Sequence, residues 1–365
     1  MTPQGTNTDE TQTGTPSWPR PTGLRQDWTA EFIGQVFVVQ TAPDDEMVVV
    51  GGENGIGAVS PSTGERVWTT YTAWIGRLPA ISATTVYAAG RNGTLHALAR
   101  SDGSTQWTFE GETGLTTAPL VFPDRDRVVV GAGQSNGRQV GSVGDSEFDP
   151  TYLYVLNTDG SCVWSVETAG GNPVTATAVH DDRLYLRTVN RIEAYSLTDG
   201  TRAWRLGVND LQWDNVSLTP YRGKRMFADE NGVYVPTKDG VAAFAPDGTK
   251  QWRFEPFDRP RRYQYESGML YVGAADNAVY AIDTTDGSQT WRTQLDGEIN
   301  VLVRGDDGLW TGTETGTVGL LLPDSGETRF TKSIDESVTA GDVIKERLVI
   351  ATAGLEFRGF AFQYP

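Results

Sequence analysis

Ala281-Ile282-Asp283-Thr284-Thr285-Asp286-Gly287-Ser288-Gln289-Thr290-Trp291 is the stretch that decides the fold. An apolar run ends in an Asp-Gly turn, and a tryptophan follows four residues after the glycine. Gly at the second turn position supplies the positive φ that tight hairpins need. Working outward, Met269 to Ala275 reads as a strand, Asp276-Asn277 as a turn and Ala278 to Asp283 as the next strand. Thr290 to Thr293 runs outward after the second turn, and Arg262 to Glu266 is the strand before them all. Four short strands in one such unit make one blade of a β-propeller.

The same grammar recurs along the chain. The turn-then-aromatic spacing joins Thr63-Gly64 to Trp68, Asp102-Gly103 to Trp107, Asp159-Gly160 to Trp164 and Asp199-Gly200 to Trp204. It continues with Asp247-Gly248 to Trp252, Asp286-Gly287 to Trp291 and Ser325-Gly326 to Phe330. These aromatics fall 39, 57, 40, 48, 39 and 39 residues apart, a repeat with two enlarged units. Neighbouring four-stranded sheets pack face to face around an axis, and each needs a large flat filler near its outer edge. A buried Trp hides about 150–250 Å², worth roughly 4–6 kcal/mol as an upper bound.

The segment 281–291 resembles the tryptophan-docking motif of quinoprotein dehydrogenases, and Ala58 to Trp68 and Ala194 to Trp204 match with small departures. The chain is accordingly identified as a pyrroloquinoline-quinone-like (PQQ-like) repeat protein from about Trp28 onward. The same repeat occurs in the scaffold propeller of the bacterial outer-membrane-protein assembly machine. The resemblance implies an all-β propeller and no particular partner, since propellers host many unrelated functions.

Trp28 lies 40 residues before Trp68 and begins the series. After Phe330 three strand-like runs remain, near Val338 to Val343, Arg347 to Thr352 and Phe357 to Phe362. Three strands do not complete a blade, and the run from Asp27 to Phe32 can supply the missing outer one. The expectation is eight four-stranded antiparallel blades closed by the N-terminal strand; seven is the alternative if an irregular unit is a decorated loop. Residues 25–365 then form one domain, and 1–24, rich in Thr, Pro, Gln and Gly, read as a disordered polar leader without an apolar signal region.

Formal net charge is −17, and Lys occurs only at Lys224, Lys238, Lys250, Lys332 and Lys345. A field of that sign opposes nucleic acid and anionic membranes. The composition resembles that of haloarchaeal proteins, which implies a halophilic, acidic surface. No apolar run approaches the roughly 20 residues of a membrane helix. The sequence fits a cytoplasmic location as written, and an extracytoplasmic or cell-surface one if a signal or lipid anchor has been removed.

Catalytic constellations are sparse. By the resemblance, a quinoprotein dehydrogenase needs a quinone pocket, a calcium ion and an Asp base, and many carry a vicinal Cys-Cys disulfide. Cys162 is the one cysteine, so that disulfide cannot form, and His96 and His180 stand in different units. Neither PQQ nor calcium, nor any other metal or catalytic residue, is expected. Where the repeats break, positive charge and off-register tryptophans collect. Trp74, Arg77, Trp213, Arg222, Arg259, Arg261 and Arg262 are therefore the candidate contacts, because Trp and Arg are enriched at binding hot spots. The Gly-rich stretch 131–150 is a polar excursion within the third unit. Trp28, Trp68, Trp107, Trp164, Trp204, Trp252, Trp291 and Phe330 are the structural docking set. The expected protein is a monomeric, non-catalytic scaffold presenting one face to a protein or polymer; the alternative is a cofactor-binding, quinoprotein-like oxidoreductase using the central channel.

Overall fold

In the computed structural model, Pro260–Glu266, Met269–Ala274, Ala278–Asp283 and Gln289–Gln294 hydrogen-bond antiparallel in that order, the sheet foreseen from their sequence. The two central strands are buried almost throughout, because neighbouring sheets cover both their faces, and they read as continuous apolar runs for that reason. The outer strand buries Trp291 and leaves most of its other side chains exposed.

The structure describes residues 20–365 apart from 33, 43–45, 135–150, 169–172, 189, 208–209, 211, 214–215, 218–224, 238–239, 256–258 and 355. The leader up to residue 19, Arg222 and most of the 131–150 stretch thus lie outside the described residues. Eight blades are present. Blades 1 to 7 occupy residues 36–71, 80–110, 114–168, 176–206, 227–254, 260–294 and 299–333, each numbered from its innermost strand outward. In blade 3 the innermost position is split between Gly114–Leu115 and Leu120–Phe122. A separate two-stranded hairpin, Gln212–Trp213 with Val216–Ser217, lies between blades 4 and 5. His96 sits in the third strand of blade 2, Thr94–Ala99.

Blade 8 takes three strands from the C-terminal end, Val338–Ile344, Arg347–Thr352 and Glu356–Gln363, and its outermost strand, Gly23–Glu31, from the N-terminal end. Leu24 pairs with Phe362 and Trp28 with Gly359, so the closure leaves no unpaired seam. Asp27 on the N-terminal strand accepts from Arg347 of the same blade and pairs with Arg25 at 3.0 Å.

Seven of the eight blades are locked to the next by one indole. The Nε1 of Trp28, Trp68, Trp107, Trp164, Trp204, Trp252 and Trp291 donates to a backbone carbonyl in the outer turn of the following blade, at 2.7–3.0 Å. The turn glycine meets the ring face. Gly287 has φ 75°, and a Cβ there would stand 2.6 Å from the Trp252 ring, so backbone conformation and close approach both require glycine. Phe330 occupies the eighth place. The following blade has no such turn, because its third and fourth strands come from opposite ends of the chain. There is then no turn carbonyl for an indole to reach, and a ring without N–H packs instead against Trp310 at 5.7 Å and the cluster around Phe360, Phe362 and Tyr364. Trp310, outside the docking register, is fully buried and stacked on Phe362 at 4.4 Å.

Three outcomes follow from this packing. Trp107→Ala or Trp291→Ala is expected to cost about 3–5 kcal/mol, read by denaturant unfolding; no shift in either would remove the dock from the stability of the ring. Gly287→Ala is expected to cost about 1–3 kcal/mol through ring contact and backbone strain. Asp27 is held below its ordinary carboxyl pKa chiefly by the hydrogen bond from Arg347, with burial opposing and Arg25 assisting. A depressed carboxyl stabilises the fold above its unfolded pKa, and the contribution fades as pH falls through the folded value. Asp27→Asn should therefore melt earlier than the parent at neutral pH, with the difference closing below about pH 4; a difference that persists in acid would contradict the ion-pair account.

Candidate functional site

Antiparallel order divides the ring into two faces. The turns between third and fourth strands, which carry the docking glycines, lie on one. The turns between second and third strands and the connections between blades lie on the other, the crossover face, where every innermost strand begins. Those innermost strands surround an axial channel of about 900 Å³ to which all eight blades contribute.

Charge in the channel runs against the charge of the molecule. Its lining includes Arg77, Arg225, Arg261, Arg262 and Arg304, while Asp342 is the acidic residue among the described ones. Two of the arginines are matched locally: Arg304 meets Glu266 at 2.5 Å, and Arg261 meets Glu298 at 2.8 Å and Asn300 at 2.9 Å. Arg77 donates from Nε to the Thr116 carbonyl of blade 3 at 2.8 Å. Arg262 donates to the carbonyls of Arg261 at 3.2 Å and of Thr339 at 3.3 Å, the latter two blades away. Burial and the neighbouring Arg261 push its pKa down to about 10. Arg77 is lowered likewise by burial, with Arg91 contributing.

Arg225, just before blade 5, and Asp342 of blade 8 both line the channel, and each senses the charge of the other. Arg225 is exposed to the channel while surrounded by protein, so burial lowers its pKa and the Asp342 charge partly restores it. Burial pushes the Asp342 carboxyl up, opposed by donors from Thr41 and Val343 and by Arg225. Its Oδ2 accepts from Gln40 at 3.0 Å and from the backbone and hydroxyl of Thr41 at 2.7 and 2.9 Å, and its Oδ1 from the Val343 amide at 2.9 Å. Behind this wall Arg187, on the second strand of blade 4, is buried and donates to the Pro236 carbonyl. Burial lowers its pKa to about 10.

The sequence candidates fall on the crossover side where they are described. Arg77, Arg261 and Arg262 line the channel. Trp74 is half-buried in the connection between blades 1 and 2, edge-on to Phe37 at 5.2 Å, with the Arg91 guanidinium 4.5 Å from its ring centre. Among the described residues its Nε1 is buried without a hydrogen-bond partner. Arg259 is exposed and reaches Glu298 at 3.4 Å. For Trp213 the backbone hairpin is described and the side chain is not. Sequence reading did not place Arg225, Asp342 or Arg187 among the contacts. The signal available was positional: strand register sets Arg262 opposite Gly273 where Val38 stands opposite Gly51, so a cation occupies an apolar place.

Other reactive groups are scattered. Among the described residues no three His, Cys, Asp or Glu side chains converge as a metal-binding group. His96 is lowered by burial, and His180 lies 3.6 Å from exposed Asp181. Cys162 begins the outer strand of blade 3, and partial burial raises its thiol pKa, the opposite of an activated nucleophile.

A family model described as outer membrane protein assembly factor BamB matches residues 9–146, 91–239 and 237–310, overlapping stretches that span most of the chain. The chain belongs to this family of PQQ-like repeat propellers. None of the curated proteins matches it in sequence. Among solved structures, BamB from Moraxella catarrhalis superimposes with TM-score 0.67 at 17% identity, over 94% of this chain and 99% of that one. Sqt1 of Saccharomyces cerevisiae gives 0.70 at 13% identity, over 92% and 98%. A quinohemoprotein alcohol dehydrogenase from Pseudomonas putida HK5 gives 0.71 at 13% identity, over 94% of this chain and 78% of the enzyme. At these identities the shared property is the propeller itself. Among the described residues, no helix is long and apolar enough to cross a membrane.

The pair of Arg225 and Asp342 has a direct test. In Arg225→Gln the carboxyl carbon of Asp342, followed by NMR through a pH titration, is expected to protonate at higher pH than in the parent, because a stabilising positive charge has gone. An unchanged midpoint would show that the two groups do not sense each other.

Proposed function

We propose that this propeller is a non-catalytic binding platform that presents its crossover face to a protein or polymer partner. The observation that carries the reading is the gathering of Trp74, Arg77, Arg91, Arg259, Arg261 and Arg262 on one face of a strongly acidic molecule. Cation–aromatic groups of this kind supply the anchors of protein interfaces, while like charge elsewhere discourages contact. The family match, to a protein described as an assembly factor, supports a scaffold over an enzyme. No cofactor or metal is required by this reading. The acidic, Lys-poor composition supports a protein adapted to concentrated salt, and binding is best measured there.

A second reading draws on the likeness to the quinohemoprotein alcohol dehydrogenase, in which case the channel would hold a quinone cofactor. Calorimetric titration with PQQ and calcium in molar salt tests it, and flat titrations would dispose of it.

The platform reading is tested by cross-linked affinity capture from native lysate in molar salt, followed by mass spectrometry. One stoichiometric partner is expected. It should be lost in the Trp213→Ala/Arg259→Glu variant with the melting temperature unmoved, and kept in Glu65→Lys, which lies on the docking-turn face. Loss in Glu65→Lys with retention in the crossover variant would place the interface on the wrong face.

A further inference from the structure

We propose that the crossover end of the axial channel is an anion site that takes carboxylate groups on Arg77, Arg225 and Arg262. Several arginines in this protein are matched by carboxylates: Arg347 by Asp27, Arg304 by Glu266, Arg261 by Glu298, and Arg358 by Glu336 at 3.3 Å. Among the described residues the three at the channel are not. Among the described residues Arg77 and Arg262 hydrogen-bond only to backbone carbonyls, and a neighbouring arginine, Arg91 and Arg261 respectively, disfavours the charge of each. Arg225 makes no hydrogen bond among the described residues and has Asp342 as its opposing charge.

Asp342 cannot serve all three. Both its oxygens are taken by Gln40, Thr41 and Val343, which hold it against the wall of blade 8. The channel therefore carries a surplus of positive charge beside a single, already engaged carboxylate. Arg91 destabilises the charge of Arg77 and Arg261 that of Arg262 in partly desolvated surroundings, and a bound anion would offset that cost. Each guanidinium has five N–H donors, and the bonds described use at most two of them. Planar carboxylates match the guanidinium fork, which makes them the ligand chemistry of choice.

Geometry agrees with a site. Arg262 spans from blade 6 to Thr339 of blade 8, and Arg77 and Arg225 line the same channel from the segments leading into blades 2 and 5. The volume of about 900 Å³ falls in the range of small-ligand pockets, roughly 300–1,000 Å³. The carboxylates could belong to a free polycarboxylate or to acidic side chains of a partner segment entering the channel. This inference goes beyond the platform reading and does not depend on it: an empty capture leaves the site standing.

The test is calorimetric titration of the full chain with citrate and, separately, with a hexa-aspartate peptide, at low and at molar salt. Saturable binding of one ligand per chain is expected, weakened about tenfold or more in Arg225→Gln/Arg262→Gln, as loss of charge-assisted hydrogen bonds requires. Arg262→Lys, which keeps the charge, should recover part of the loss. Tighter binding of citrate points to a free ligand, and tighter binding of the peptide to a partner segment. Should the double variant fail to fold, arginine Nε resonances of the parent give the answer: citrate is expected to shift those of Arg225 and Arg262. Flat titrations with both probes, wild-type affinity in the folded double variant, or unmoved Nε resonances would each overturn the proposal.

Discussion

The ring depends on a contact made between one tryptophan and one turn. The indole buries its faces between two blades, its Nε1 satisfies a turn carbonyl that would otherwise lack a partner, and its ring rests where a glycine has no Cβ. Trp252 illustrates the coupling, with its bond to Thr284 at 2.9 Å and Gly287 against its face. A polar atom and an apolar surface are satisfied by the same placement, so the contact fixes blade spacing as well as energy. This is why the glycine and the tryptophan recur together along the chain. The glycine that shapes one blade's turn receives the tryptophan of the blade before it.

The one exception explains itself by topology. Phe330 faces the place where the two ends of the chain meet, and the turn that would offer a carbonyl is absent there. An indole would bring a donor with nothing to bond in that position, and a buried unsatisfied donor is costly. Closure is then secured by strand pairing along Gly23–Glu31, by the hydrophobic cluster around Phe360 and Phe362, and by Asp27 with Arg347. The ring thus has seven equivalent joints and one built differently, and the difference falls where the chain begins and ends.

Blades and docks were legible because their chemistry is local and repeated. A hairpin glycine, an outer-strand tryptophan and two apolar central strands sit at fixed offsets, and repetition separates them from chance. The channel was legible only in part. Arg261 and Arg262 stood out by charge density within a short segment and Arg77 stands three residues after an off-register tryptophan, yet Arg304 and Asp342 sit singly in ordinary strands. Asp342 gains its meaning from Thr41, some 301 residues away in sequence, and from Arg225, just before a distant blade. Such partners are chosen by ring closure, and no local pattern records them. Arg259 shows the converse: its charge density drew attention, and the structure pairs it with Glu298.

Net charge and local charge answer different questions here. The −17 of the whole chain governs solubility and the approach of large charged partners. In molar salt the Debye length shrinks to about 3 Å, so the outer carboxylates act only on what touches them. Charges on the axis are partly desolvated and are screened far less. A small anion at the crossover face then meets the guanidinium groups of Arg77, Arg225 and Arg262 rather than the field of the acidic shell. A duplex or a membrane, too wide to enter, still meets the shell. The same arrangement therefore rejects extended polyanions and leaves room for a compact one, and concentrated salt weakens the first effect more than the second.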